Sequence, residues 1–406
     1  MTSASVALDS IRIRRCTIAI EGIVQGVGFR PFVYRTAVRL GLAGSIRNSL
    51  QGALVDVEGE ERAIRQFIEE LSAPAATAAR PPRLTIDWDE PRGIGRGFTI
   101  AATAREGASE LFPVPDLAVC EDCLAELEDP RARRRGYPLL TCTACGPRFT
   151  IVRALPFDRE RTTMAGFTLC ARCREDYEDA GDRRFHAEAI ACPECGPRLA
   201  LYRPDGAVID TEDPIGIVAD ALRGGRVVAI KGVGGYHLAC DATAGAAVDE
   251  LRRRKRRDGK PLALMVADVE AARALGHVSG AEARLLTSAA RPIVLVSRRA
   301  GSPIADAVAP GCRELGIMLP YTPLHRLLLR AVGVPVVMTS GNTSDEVIAH
   351  HDDDALSRLQ GVADLFLTHD RPIEVPCDDS VARVVRDTPR LVRRSRGYVP
   401  LAIRLP

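Results

Sequence analysis

Eight of the twelve cysteines in this 406-residue chain fall into four Cys-x-x-Cys pairs: Cys120/Cys123, Cys142/Cys145, Cys170/Cys173 and Cys192/Cys195. Eighteen residues lie between the first two pairs, and eighteen again between the last two. The equal gap marks an internal duplication, repeated in sequence as Cys145-Gly-Pro-Arg148 and Cys195-Gly-Pro-Arg198. A Cys-x-x-Cys turn offers two thiolates to one point, and two such turns close a tetrahedral zinc site with no open position for catalysis. Two structural zinc ions are therefore expected, the first pair joined to the second and the third to the fourth. A crossed pairing would leave the same signature in the sequence. A redox dithiol would account for one pair but not for a duplicated array. His186, near the last pair, reads as packing or hydrogen bonding, because four sulfurs leave it no vacancy.

Two further groupings suit anions. The stretch Gly22-Ile-Val-Gln-Gly-Val-Gly-Phe-Arg30 falls between a strand pattern and a helix opened by Pro31. Backbone N–H groups there can converge on an anion at a helix start, and Arg30 can clamp phosphoryl oxygens with two donors. Asn48 follows eighteen positions later on the next expected strand. In the second half, lysine occurs only at Lys231, Lys255 and Lys260, and every other one of the 55 basic side chains is arginine. An ammonium is a compact charge that suits phosphate and that arginine does not copy. Two of these lysines lie in Leu251-Arg-Arg-Arg-Lys-Arg-Arg-Asp-Gly-Lys-Pro261, and Thr339-Ser-Gly-Asn342 adds hydroxyl and amide groups. The plainer reading of the basic run is a solvated helix face or an RNA-binding patch.

The elements that must position these groups divide the chain in three. Residues 12–103 alternate as a small α/β unit in the order βαββαβ, the ferredoxin-like pattern. Cys16, Ile18 and Ile20 mark a strand, Pro31 to about Leu40 a helix, Ala53, Val55 and Val57 one arm of a hairpin, and Ile64, Phe67, Ile68 and Leu71 one helix face. Short strands are expected around Leu84–Trp88 and Phe98–Ala101, with Ala73–Pro82 as a loop. Residues 104–205 have little apolar periodicity and need metal to fold. Residues 206–406 read as a twisted α/β domain, with helices at Ile215–Leu222 and Ala246–Arg257 and strands at Arg226–Ile230, Leu262–Val266, Pro292–Val296 and Pro335–Thr339. The fold class is α/β (α+β) multidomain. Hydrophobic content of 46% and net charge of +2 are those of a soluble globular chain, and such a charge gives little support to nucleic-acid binding. No apolar run is long enough to span a membrane, and the first residues lack the pattern of a secretion signal, so a cytoplasmic location is expected.

The Gly-x-Val-Gln-Gly-Val-Gly-Phe-Arg stretch with Asn48 resembles the acylphosphatase family. That resemblance implies that Arg30 holds a phosphate and Asn48 orients the attacking water. Lys255, Arg257, Lys260 and Pro261, with Thr-Ser-Gly-Asn342, are similar to the YrdC-type domain, whose members bind ATP and a small acid and form an acyl adenylate. The implied roles are Lys255, Arg257 and Lys260 on phosphates and Ser340 and Asn342 on nucleotide. Arg394 and the Arg396-Gly-Tyr398 stretch are further phosphate candidates. In this order, head, duplicated zinc module and tail resemble the HypF-type hydrogenase-maturation carbamoyltransferases. The resemblance implies hydrolysis of carbamoyl phosphate, coupling of carbamate to ATP (with magnesium) as carbamoyl adenylate, passage of the acid between domains along an enclosed path, and transfer of the carbamoyl group to a HypE-type partner. It also implies a further C-terminal transferase domain not found before Pro406, so transfer by these residues alone is not expected. A threonylcarbamoyl-adenylate synthase of tRNA modification and a non-catalytic RNA-binding zinc protein are the rival readings. The zinc module itself reads as a spacer between head and tail.

Overall fold

The computed structural model describes residues 12–21, 28–49, 52–72, 83–93, 95, 97–101, 114–155, 157–343 and 346–403. The chain divides into two compact units, Met1–Leu111 with Glu175–Ala187, and Phe112–Arg174 with Glu188–Pro406.

The first unit contains β1 (Ile13–Glu21), α1 (Phe29–Arg39), β2 (Ala43–Ser49), β3 (Gly52–Glu60), α2 (Glu61–Ser72), β4 (Arg83–Asp89) and β5 (Phe98–Ile100). The sheet order is β4-β1-β3-β2-β5. The first four strands pair antiparallel, and β5 joins β2 in parallel. This is the ferredoxin-like arrangement with one added edge strand. Period-two alternation buries Cys16, Ile18 and Ile20 of β1 together with Val55 and Val57 of β3. Helix α2 buries Ile64, Phe67 and Leu71 from one stripe, as the 3.6-residue repeat requires. Helix α1 starts from Gly28, whose φ of 74° is left-handed, a conformation open to glycine at little cost.

The second unit begins with the cysteine pairs, α3 (Glu121–Glu128) and α4 (Ala171–Glu178), the last turns of α4 falling in the range of the first unit. It continues as β6 (Leu199–Tyr202), β7 (Val208–Ile209), α5 (Pro214–Arg223), β8 (Val228–Lys231), β9 (Tyr236–Asp241), α6 (Gly245–Lys255), β10 (Ala263–Met265), α7 (Val269–Leu275), β11 (Gly276–His277), α8 (Gly280–Leu286), β12 (Ile293–Arg298), β13 (Glu314–Met318), α9 (Pro323–Val332), β14 (Val336–Ser340), α10 (Asp352–Leu359), β15 (Leu365–His369), β16 (Val381–Val385) and β17 (Thr388–Arg393). These strands form one mixed sheet in the order β17-β16-β12-β13-β10-β14-β9-β8-β15-β6-β7, with β11 paired to β12. Strands β8 and β9 are buried throughout, and apolar clusters built on Leu238, Leu251 and Phe366 and on Val218, Ile230 and Leu328 flank the sheet. Residues Leu199–Tyr202, just past the last cysteine pair, already belong to this sheet, where they pair antiparallel with β15.

The cysteine-rich part is joined to the sheet by more than chain continuity. Backbone N–H groups of Ala118 and Val119 donate to the carbonyls of Ala289 and Tyr321, and those of Glu374 and Val375 donate to the carbonyl of Thr150. Asp116, 2% exposed, accepts at Oδ1 from the Arg148 and Thr150 amides and the Thr150 hydroxyl. Burial pushes its carboxyl above the usual range against the pull of these donors.

Candidate functional sites

The eight pair-forming cysteines meet in two groups of four, Cys120/Cys123/Cys142/Cys145 and Cys170/Cys173/Cys192/Cys195, with the sulfurs of each group within 4.8 Å of one another. Adjacent pairs therefore share a site, and the crossed arrangement is not adopted. In the first group Cys120–Cys142, Cys142–Cys145 and Cys123–Cys145 are 3.6, 3.7 and 3.6 Å apart. In the second, Cys170–Cys192 and Cys192–Cys195 are 3.8 and 3.7 Å apart. Four sulfurs at about 2.3 Å from a zinc ion would form a tetrahedron with edges of about 3.8 Å. The donor sets fit zinc, and they are the residues that would hold it. Each is closed by four sulfurs, so the ions supply folding energy rather than chemistry.

Local sequence explains the turns. Cys120 caps the start of α3 and Cys123 lies within its first turn. Gly146, with φ of 96°, has the Thr141 hydroxyl where a Cβ would stand, at 2.0 Å. That hydroxyl donates to the Cys145 carbonyl at 2.6 Å. Arg148 of the repeated Cys-Gly-Pro-Arg wraps the first knuckle, donating to the carbonyls of Cys145, Thr143 and Cys142 at 2.6, 2.8 and 3.2 Å. Its counterpart Arg198 repeats the backbone contact, its amide donating to Asp370 at 2.7 Å as the Arg148 amide donates to Asp116. His186 lies edge-on to Phe185 and tilted against Tyr177, with ring centroids at 4.3 and 5.0 Å.

In the first unit, Arg30 occupies the opening turn of α1, half-buried beside buried Phe29 and Pro31. Asn48 lies on β2, opposite Ala53 of β3. The glycine loop at 22–27 and the Asn48 side chain lie outside the described residues.

In the second unit, Lys255 closes α6 and is 1% exposed. Its Nζ donates to the carbonyls of Ser340 and Asn342 and to Asn342 Oδ1, each at 2.6 Å. The Ser340 hydroxyl donates to the same Oδ1 at 2.8 Å. Three of the nucleotide candidates thus form one cluster where the end of a helix meets the end of β14. Burial, with the charge of Arg257, pushes the Lys255 ammonium down to about 7. Arg257 donates to the Lys260 and Pro261 carbonyls at 3.3 and 2.9 Å. The loop holding both residues is gathered by Arg252, which is 8% exposed and donates to the carbonyls of Arg257, Asp258, Lys260, Ala307 and Val308. Arg394 donates to the carbonyls of Tyr398 and Leu401. Arg396 is buried, and its nitrogens are committed to Asp379 and to the Ala290 and Arg291 carbonyls.

Two partnerships escaped the sequence reading. Lys231 is 2% exposed and pairs with Asp352 at 2.6 Å and the His369 carbonyl at 2.8 Å. His237 pairs with Asp379 at 2.9 Å and lies edge-on to Tyr321 and His325. In the sequence these residues fall in the stretches Lys231-Gly-Val-Gly-Gly-Tyr-His237 and Asp378-Asp-Ser380, which carry no local sign of the pairing.

Comparison with known families gives three matches in chain order. Acylphosphatase covers residues 16–100, the HypF finger covers 119–152 and again 169–202, and the Sua5/YciO/YrdC family, described as telomere recombination, covers 220–395. The chain is 48% identical over 395 residues to Carbamoyltransferase HypF of a Synechocystis species, covering 97% of this chain and 51% of that protein. It is 47% identical over 415 residues to Carbamoyltransferase HypF2 of Cupriavidus necator, again covering 51% of it. Full-length HypF crystallised in a phosphate- and nucleotide-bound form superposes with a TM-score of 0.86 at 43% identity, over 96% of this chain and 51% of that one. HypF of T. kodakarensis superposes with a TM-score of 0.84 at 42% identity, over 97% and 50% of the two chains. The chain thus spans about half the length of the relatives it matches, and over that half it belongs to the HypF family.

Proposed function

We propose that this chain carries the first two chemical steps of HypF-type carbamoylation: hydrolysis of carbamoyl phosphate at Arg30 and Asn48, then adenylation of the released carbamate by ATP at Lys255, Arg257, Lys260, Ser340 and Asn342. The observation that carries the reading is the convergence of the Lys255 ammonium on the Ser340–Asn342 turn. A buried cation lined by a hydroxyl and an amide, at a helix end and beside glycine turns, is a site prepared for a polyphosphate.

In the head, Arg30 would hold the phosphoryl group and Asn48 would orient the attacking water, so that catalysis is positioning and charge stabilisation. In the tail, carbamate oxygen would attack the α-phosphate of ATP, forming the acyl–phosphate bond and releasing pyrophosphate. Arg394 and Arg396 have the least support among the phosphate candidates, since Arg394 is committed to backbone carbonyls and buried Arg396 to Asp379 and two carbonyls. The carbamoyl acceptor would be a HypE-type protein in the cytoplasm. Among the described residues no helix is long and apolar enough to cross a membrane.

The RNA-binding alternative loses its main support in the second unit. Arg252 is turned inward onto carbonyls, Arg253 and Arg254 pair with Glu250, and Arg254 also pairs with Asp364. Little of the basic stripe is left to face a phosphate backbone. The deciding experiment is ATP–pyrophosphate exchange by the full chain. Exchange that needs carbamoyl phosphate or ammonium carbamate, and not threonine, supports the reading. Hydrolysis of carbamoyl phosphate without exchange removes the assignment of the tail, and exchange that needs threonine replaces it with the threonylcarbamoyl chemistry.

A further inference from the structure

We propose that His237 is a positioning residue of the adenylation site, its Nδ1 accepting a hydrogen bond from the amino group of the acid being adenylated. The inference rests on the carbamate-adenylation reading and names the group that would recognise the nitrogen end of that acid.

The register of the sheet puts His237 there. Strands β9 and β14 pair antiparallel with His237 directly opposite Ser340. Opposed residues project from the same face of a sheet, with Cβ atoms about 5 Å apart. The imidazole therefore adjoins the serine whose hydroxyl and carbonyl are tied to Asn342 and Lys255. On its other side lies the glycine loop after β8. A Cβ at Gly232 would come within 2.9 Å of His237 Cε1 and 3.0 Å of Nδ1, so the ring packs against that loop only because residue 232 is glycine. The loop is held in turn by the Cys377 amide, which donates to the Gly234 carbonyl at 2.8 Å.

The partner of Nε2 sets the hydrogen-bond sense of that nitrogen. Nε2 lies 2.9 Å from Asp379 Oδ2. Asp379 Oδ1 accepts from Arg396 Nε at 2.7 Å, and the Arg396 guanidinium rests 3.4 Å over the Tyr321 ring. Burial works against charge on Asp379, but Arg396 and His237 hold its carboxyl well below the usual range. An ionised carboxylate only accepts, so Nε2 carries a proton, and we assign Nδ1 as the acceptor of the ring. The residue is 4% exposed, and Nδ1 has no partner among the described residues. A buried acceptor without a donor is destabilising, and a ligand that donates repairs it. Carbamate offers a carboxylate, which suits the cationic side of the site, and an amino group that can only donate.

The test uses the full chain, ammonium carbamate as the acid, and ATP–pyrophosphate exchange. His237→Gln keeps an amide N–H that can reach Asp379 but presents nothing at the Nδ1 position, whereas His237→Asn places an amide near Nδ1 and gives up Asp379. We expect His237→Gln to raise the KM for carbamate about tenfold or more, with the KM for ATP and the melting temperature near wild type. His237→Asn should recover part of the carbamate affinity. A His237→Gln variant with the wild-type KM for carbamate overturns the proposal, as do KM values for ATP and carbamate that rise together, which would leave His237 a purely structural role. Wild-type protein that shows no carbamate-dependent exchange overturns the adenylation reading and this inference with it, an outcome distinct from failure in the variants alone.

Discussion

Nη2 of Arg134, a residue of the first cysteine-pair half, lies 3.2 Å from Sγ of Cys173 in the second. Its Nε donates to the Ala191 carbonyl at 2.9 Å, and its Nη1 faces Glu126 of α3 at 3.6 Å. The neighbouring Arg133 reaches the same sulfur at 3.3 Å. A four-thiolate zinc site carries a net negative charge, and N–H donors to its sulfurs stabilise the thiolates and fix their direction. The two halves of the duplication are therefore braced by more than sequence adjacency.

Arg134→Ala should loosen one zinc ion and spare the other. A buried bond to a charged group contributes roughly 1.5–3 kcal/mol, so the second site should release its metal to a chromogenic chelator about ten times faster or more. Two zinc ions leaving at wild-type rates would show that the contact to Cys173 contributes little.

Asp116 is a joint between the zinc-bearing residues and the large sheet. Asp116→Ala strips the acceptor from two buried amides and one hydroxyl. The expected loss is about 2–4 kcal/mol, since each group is left unsatisfied and some relaxation follows. Urea unfolding of the zinc-loaded chain measures it. Because burial raises this carboxyl, Asp116→Asn should cost less than Asp116→Ala.

The Lys255 ammonium, pushed down to about 7 by burial, gives nucleotide binding a proton linkage. Between about pH 7 and the ordinary value of 10.5 the unfolded chain holds this proton and the folded chain does not. This group therefore makes the free protein more stable as pH rises through that window. A polyphosphate beside the amine favours its charged form, so ATP binding at pH 8 should take up as much as about one proton. Calorimetry in buffers of different ionisation enthalpy reads this directly. Lys255→Arg should abolish the uptake and weaken binding, because a guanidinium keeps its charge and does not fit the compact site.

Arg30 and Asn48 should separate the two reactions. Arg30→Ala or Asn48→Ala is expected to lower carbamoyl phosphate hydrolysis by at least about a hundredfold, the usual loss when a charge-stabilising or water-orienting group is removed. Exchange driven by added ammonium carbamate should stay at the wild-type level in both variants. Loss of both activities would show that the two halves do not act in sequence.

The parts legible in sequence share a feature: their signals are local. Four Cys-x-x-Cys turns, in two halves with the same internal gap, specify two tetrahedral sites because each turn brings two sulfurs together without help from distant chain. The alternation of Cys16, Ile18 and Ile20, and the stripe of Ile64, Phe67 and Leu71, specify a strand and a helix because each period matches one element's geometry.

What the tertiary structure alone decided depends on neighbours distant in the chain. Strand β9 carries His237 and Asp241 inside a fully buried run, a pattern with no alternation to read. The partners of His237 and Lys231, Asp379 and Asp352, lie 142 and 121 residues further on, and only the sheet order brings them together. The same holds for the direction of the basic run. The sequence showed six basic residues in a row, but packing against Ala307, Val308 and Asp364 turned Arg252 and Arg254 inward and left the Lys255 ammonium at the Ser340–Asn342 turn. The sequence by itself determined the ligand types, their spacing and the family. Which cations are committed to partners inside the protein was settled by long-range pairing, because a charge's role depends on the dielectric and the partners around it, and neither is written in its local sequence.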